Sequence, residues 1–324
     1  MKILNQMFIN RRWYFILLPV CLFLCSSVGY TQNNRIDNKG NGFVIPKSWT
    51  RQGLVIERHQ ADKGVSGDPC VVWDEDIRGW RMILFYDPWG AAQATCTNLD
   101  DLGPGQWKVE GPLNIANPEV VGFFHKPFIV MDLYHANRAA EINGRYCLLV
   151  VNFYFYKGYP LQPQPRKISP MGSAQAVATQ KLDEPAVTKR GIILEPEQQA
   201  GHWASGWVGG LQLMRGRDHR WVALVNASPT APDYTLKEVW TQEPPPSQPG
   251  FAWCDEEWPV KGWHFAPEPI EWVKDIPQSA LDAGEGYNLW RHFIHILPDG
   301  RAAMFYNSGY YGKEQLYMKV SDKP

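Results

Sequence analysis

Three carboxylates are set where acid–base chemistry could use them. Asp68 lies in Ser66-Gly67-Asp68-Pro69-Cys70, immediately before the first apolar run of a hairpin. Glu285 lies in Gly284-Glu285-Gly286, ahead of the alternating run Leu289–Ile296, and Glu314 follows Gly312-Lys313 near the end of the chain. Two carboxyl groups facing one pocket can divide the work of hydrolysis, one activating water and the other protonating a leaving oxygen. Each also has a plain structural role open to it. Asp before Pro is common in turns, Glu285 reads equally as a loop acid, and Glu314 as the edge partner of a neighbouring Lys or Arg.

Hydrogen-bond donors and aromatics stand at comparable places. His125 and Lys126 precede Pro127 in a run that Asp132 ends. His202, Trp203 and Trp207 lie in the glycine-rich stretch GHWASGWVGG. Arg291 and His292 are adjacent in a strand-like run, so by the two-residue period they point to opposite faces and one of them should face a site. For Trp203 and Trp207 the alternatives are ligand contact and packing. For Trp49, Trp107 and Trp263 packing is expected.

The elements that must position these groups read as short β runs cut by Gly, Pro, Asn and Asp, with no helical period sustained over ten residues. A pattern recurs: a large residue, a small one, then an aliphatic ending. Its copies begin at Trp49, Trp107, Val187 and Trp263, which are 58, 80 and 76 residues apart. Between copies come a first strand ending in a turn, an aromatic-rich second strand, and often a third rich in small residues. The last unit stops after its third strand, at Glu314–Val320, and Trp49–Ile56 would supply the fourth. This predicts an all-β β-propeller of four-stranded antiparallel blades, four of them legible, its ring closed by the N-terminal strand. Pro-rich insertions are read at 159–170 and 243–250.

Bulk properties narrow the classes. The 324 residues carry a formal charge of -1, which excludes a basic nucleic-acid footprint. Lys2, Arg11 and Arg12 precede an apolar run, Trp13–Cys25, and then small residues. Residues 1–30 therefore read as an export signal, 31–42 as a disordered spacer, and 43–324 as one domain without a membrane span. Leu24 fits poorly before a lipidated Cys25. Cys70, Cys96, Cys147 and Cys254 show no metal spacing and read as buried thiols, ahead of a Cys70–Cys96 bridge. No phosphate loop, dinucleotide fingerprint, zinc-protease motif or nucleophile elbow occurs.

The segment GDPCVVWDEDIRGWRMILFYD, closed by TCTNLDDLGPGQW, resembles the first blade of the β-propeller glycoside hydrolases of families 43, 32 and 117. The resemblance extends over about residues 43–320. It implies five blades where four are read, and two essential carboxylates with a third acid tuning them. Asp68 matches the position of the base. The acid falls to Glu285, in a Glu-Gly ahead of an inner strand, or to Glu314, in a segment like one in the neoagarobiose-hydrolase family. In blade two His125 and Lys126 stand where a tuning Asp would be, with Asp132 the weaker candidate, and blade three offers no acid. The expectation is an exported monomeric glycosidase acting on a plant or algal poly- or oligosaccharide and inverting, in the sense that water attacks opposite the leaving group. It needs no organic cofactor and leaves room for a structural cation. A non-catalytic carbohydrate-binding propeller and a surface protein-interaction propeller are the other classes.

Overall fold

The short apolar runs become strands, and Gly, Pro and Asp residues turn them. The computed structural model describes residues 46, 48–60, 63–74, 76–112, 127–128, 131–132, 138–139, 141–142, 145–155, 172–179, 188–189, 192–194, 196–215, 221–230, 246–254, 262–286, 289–310 and 312–323. The signal, spacer and Cys25 readings, the 159–170 insertion, His125 and Lys126 lie outside the described residues.

Strand β1 (Trp49–Ile56) comes first. Next, β2 (Ser66–Asp74), β3 (Gly79–Tyr86), β4 (Gly90–Cys96) and β5 (Lys108–Pro112) form an antiparallel sheet in sequence order. A second sheet takes β6 (Pro127–Phe128), skips β7 (Met131–Asp132) and β8 (Arg138–Ala139), and continues through β9 (Glu141–Ile142), β10 (Arg145–Phe155), β11 (Gly172–Thr179), β12 (Thr188–Lys189) and β13 (Ile192–Leu194). The third is built on β14 (Trp207–Arg215), β15 (Trp221–Ser228), β16 (Gln248–Cys254) and β17 (Trp263–Phe265), with β7 and β8 added beyond β14. A 3-10 turn (Val273–Asp275) and one short helix, α1 (Gln278–Asp282), lead to the last sheet. It orders β18 (Leu289–Ile296), β19 (Ala302–Ser308), β20 (Gln315–Ser321) and then β1. The first strand of the fold thus completes the last sheet, Trp49 pairing with Ser321 and Ile56 with Leu316.

Burial explains the composition of the runs. β15 and β19 are buried along their whole length, so both faces are apolar and the runs are continuous. The outer strands β1 and β5 keep exposed positions and polar side chains. β18 lies against β2 on one side and β14 on the other. Leu213, Trp221, Phe293 and Phe305 belong to one apolar core, and Leu224, Phe251, Met304 and Tyr306 to a second. Cys70, Cys96 and Cys254 are buried, 0–1% exposed.

Two readings of the sequence are corrected. Phe128–Asp132 is not one strand: Phe128 pairs with Val150 in the second sheet, and Met131 runs parallel to Met214 in the third. The 243–250 insertion ends early, because Gln248-Pro249-Gly250 opens β16. Pro lacks a donor but is tolerated at a strand's beginning, and the Pro249 carbonyl still accepts from Ile270 N at 2.8 Å.

Candidate functional site

Asp68 occupies an irregularity at the start of β2. Gly67 pairs with Phe85 and Cys70 with Ile83, so β2 carries one extra residue there. Such a bulge re-aims a side chain. Asp68 has φ +51°, which a non-glycine residue seldom adopts. Asn307 on β19 holds it. Its Oδ1 accepts from Asp68 N at 2.8 Å, and its Nδ2 stands 3.4 Å from Asp68 Oδ1. Gly67 makes room for this clamp, since a Cβ there would lie 2.3 Å from Asn307 Cγ.

The same device recurs on β18. Trp290 pairs with Asn307 and Phe293 with Phe305, again one residue in excess. Arg291 in that bulge also has φ +51°. Asn226 on β15 accepts from Arg291 N at 2.6 Å and donates to the Leu289 carbonyl. β14 shows the same shift of register between Gly209 and Gln212. The two bulges bring their side chains together: Arg291 Nε lies 3.5 Å from Asp68 Oδ1, with side-chain exposures of 5% and 6%. The guanidinium compensates a carboxylate that would otherwise be costly to bury.

Glu314 reaches the same end of β2. Its carbonyl accepts from Ser66 N at 3.1 Å, two residues before Asp68, and its side chain is buried. The structure therefore brings Asp68, Arg291 and Glu314 to one end of the inner strands. Adjacent to Arg291, His292 stacks on Tyr306 with centroids 5.6 Å apart.

Glu285 belongs to this second cluster. Its Oε2 accepts from Arg51 Nε at 3.1 Å and from Tyr306 OH at 2.8 Å. Arg51 also donates to Glu271 at 2.5 Å, and Lys319 Nζ donates to the other oxygen of Glu271 at 2.5 Å. Burial works to raise the Glu271 carboxyl, but the Lys319 and Arg51 charges hold it below the usual range. Burial pushes Lys319 down and Tyr306 up. These groups tie β1, β19 and β20 to the segment after β17. Glu285 is here a charge partner of Arg51.

The aromatic candidates of the third sheet are placed in packing. Trp203 is 1% exposed, its Nε1 donates to the Ala266 carbonyl at 2.7 Å, and its ring edge covers Gly250. His202 Nε2 meets the same carbonyl at 3.0 Å. Both ring faces of Trp203 are shared with neighbours such as Phe265, which leaves none to stack on a sugar. Trp207 opens β14 opposite Ser228, and its side chain lies outside the described residues. Asp132 pairs with Arg215 at the far end of β14, away from Asp68. Trp49, Trp107 and Trp263 pack against the cores as expected.

The sequence reading passed over Trp89. It lies in the turn from β3 to β4, 44% exposed, with Tyr86 5.5 Å and His59 6.5 Å away between ring centroids. That turn sits beside the start of β2, where Val65 N donates to Asp87 Oδ2 at 2.8 Å. The available signal was a large aromatic inside the turn sequence Asp-Pro-Trp-Gly, where no sheet can cover it. Among the described residues no cluster of three or more His, Cys, Asp or Glu is arranged to hold a metal, and no helix is long and apolar enough to cross a membrane.

No family model matches the chain, and no curated protein does. Among solved structures the chain is similar to an endo-arabinase from Bacteroides thetaiotaomicron, at 13% identity and a TM-score of 0.43 over 82% of this chain and 96% of that one. It is similar to a thermostable family-43 glycoside hydrolase at 14% identity and a TM-score of 0.42, covering 83% and 91%. A third is from the GH130 family of mannoside phosphorylases, which contains glycoside hydrolases targeting β-1,2 mannosidic linkages in Candida mannan. It matches at 15% identity and a TM-score of 0.43, covering 83% and 69%. Likeness at this level decides neither family nor reaction, which rest on the side chains.

Proposed function

We propose that the protein is an exported β-propeller glycoside hydrolase acting on a plant or algal poly- or oligosaccharide. The observation that carries this reading is the Asp68–Arg291 pair, two buried charged side chains aimed at each other from bulges at φ +51° on neighbouring inner strands. Non-glycine residues held in that region cluster at functional sites. Asp68 would take a proton from water as its oxygen attacks the anomeric carbon. Glu314 would give one to the departing glycosidic oxygen as that bond breaks. Glu314 is preferred to Glu285 because its carbonyl meets Ser66 N at 3.1 Å, two residues before Asp68. An inverting reaction needs the two carboxyls about 6.5–9.5 Å apart. Arg291 would orient the base and meet sugar hydroxyls. No organic cofactor enters this chemistry, and a cation in the channel would be structural.

The second reading is a carbohydrate-binding propeller without catalysis. The exposed Trp89 beside Tyr86 and His59 favours it, because such rings stack on the apolar faces of sugars. The test is hydrolysis of a panel of plant and algal oligosaccharides by the purified chain beside Asp68→Asn. Turnover that the substitution abolishes supports the hydrolase. Equal turnover by both proteins moves the base elsewhere. Sugar binding by both without turnover selects the second reading.

A further inference from the structure

We propose that Asn307 is the positioning residue of Asp68: its side-chain amide fixes the strained backbone and the carboxyl of Asp68 together. The inference rests on Asp68 being the reacting group.

A single amide does both jobs. Its oxygen accepts from Asp68 N at 2.8 Å, which stabilises a bulge conformation a non-glycine residue avoids, and its Nδ2 lies 3.4 Å from Asp68 Oδ1. An Asn side chain offers acceptor and donor from one planar amide, with a shorter reach than Gln. The setting is built for it. Gly67 leaves the space the amide fills, since a Cβ would meet Asn307 Nδ2 at 2.3 Å. Asn226 occupies the equivalent place on β15 and holds Arg291 N at 2.6 Å. A residue pairing with the position before one bulge thus clamps the bulge of the next sheet, twice over. Here the two clamped residues are the Asp68 carboxylate and the Arg291 guanidinium that face each other.

Among the described residues, Arg291 on β18 faces the Asp68 carboxyl, Glu314 ahead of β20 meets the start of β2 through its carbonyl, and Cys70 follows on the same strand. Asn307 is the neutral member, so replacing it with a carboxylate changes one charge and almost no volume. Two carboxyls this close share a proton, and the pair's upper titration rises by about one unit or more.

The experiment is NMR of the full chain. In the wild-type protein the Asn307 side-chain amide signals should move with the same midpoint as the Asp68 carboxyl carbon, which Asp68→Asn identifies by its loss. In Asn307→Asp the Asp68 titration should rise, and the acidic limb of kcat/KM should rise with it. In Asn307→Ala kcat should fall at least tenfold with KM little changed. Amide signals indifferent to the Asp68 titration, or an Asp68 titration unmoved in folded Asn307→Asp, overturn the inference. The wild-type arm keeps the test decisive if a variant does not fold. Failure of the hydrolase reading looks different: the NMR coupling holds while Asp68→Asn turns over substrate at the wild-type rate.

Discussion

Mild acid should destabilise this protein well above the carboxylate range, through two histidines on one strand. His292 and His295 both lie on β18, 3% and 0% exposed. Burial lowers His295 to about 3 and His292 well below 6.5, the latter helped by the Lys319 charge. His292 has Tyr306 stacked on it, and His295 meets the Trp80 ring edge-on at 4.3 Å. In the unfolded chain each imidazole is released to titrate near its usual value, roughly 6.5. As pH falls below that value the unfolded state binds protons that the native state refuses, so stability falls. Between about pH 7.5 and 5.5 each buried histidine removes about 1.4 kcal/mol, and the pair about 3 kcal/mol. That is a large part of a typical stability of about 5–15 kcal/mol. The assay is urea unfolding at three pH values across this window at fixed ionic strength. His295→Leu, which keeps the site filled and cannot titrate, should remove about half of the pH slope. A free energy constant across the window, or a slope unchanged in both His295→Leu and His292→Phe, would refute the reasoning.

Glu271→Gln leaves Lys319, 0% exposed, without its charge partner, and should cost about 3–5 kcal/mol, read as a fall in Tm. Because Glu271 is held below its usual value, the stability it supplies is present above about pH 4.5 and is lost as pH falls through the depressed value. The variant should therefore show a weaker loss of stability below that pH. Gly250→Ala places a methyl 2.2 Å from Trp203 Cη2. It should destabilise by about 1–3 kcal/mol through overpacking, measured by denaturant midpoint, while Gly90→Ala, with nothing within 4 Å of its Cβ but a φ of +75°, should cost less.

Much of the strand order was legible because continuous apolar runs and turn residues alternate so regularly. The completion of the last sheet by Trp49–Ile56 followed from a missing fourth strand alone. What misled was Phe128–Asp132, where an unbroken apolar run reads as one strand but is divided between two sheets. Pro249 hid the start of β16, since a proline-rich stretch reads as loop. Asp68 and Arg291 were singled out, but their contact joins residues 223 apart and depends on two bulges that period-two reasoning does not contain. Glu285 carried the motif of an acid, yet its partners Arg51 and Tyr306 come from distant strands, and only their convergence reveals its ion pair. For Trp203 ligand contact and packing were both open, and what decides for packing is distant in sequence: Gly250 leaves the hollow that its ring fills.

The bulges also explain why charged residues survive at these positions. A regular strand at Asp68 would alternate its side chain into a sheet face, where Cys70, Met82 and Leu84 are fully buried and a carboxylate has no partner. One extra residue turns Asp68 out of that alternation, and the same extra residue turns Arg291. The left-handed backbone costs roughly 1–2 kcal/mol at each. The clamps from Asn307 and Asn226 and the ion pair offset this only when both bulges form together. Removing either charge leaves the strain and strands a buried partner. A fold needing only stability would place Gly at both bulges and apolar residues opposite. The chemistry of the Asp68–Arg291 pair is what the Asp68→Asn comparison measures.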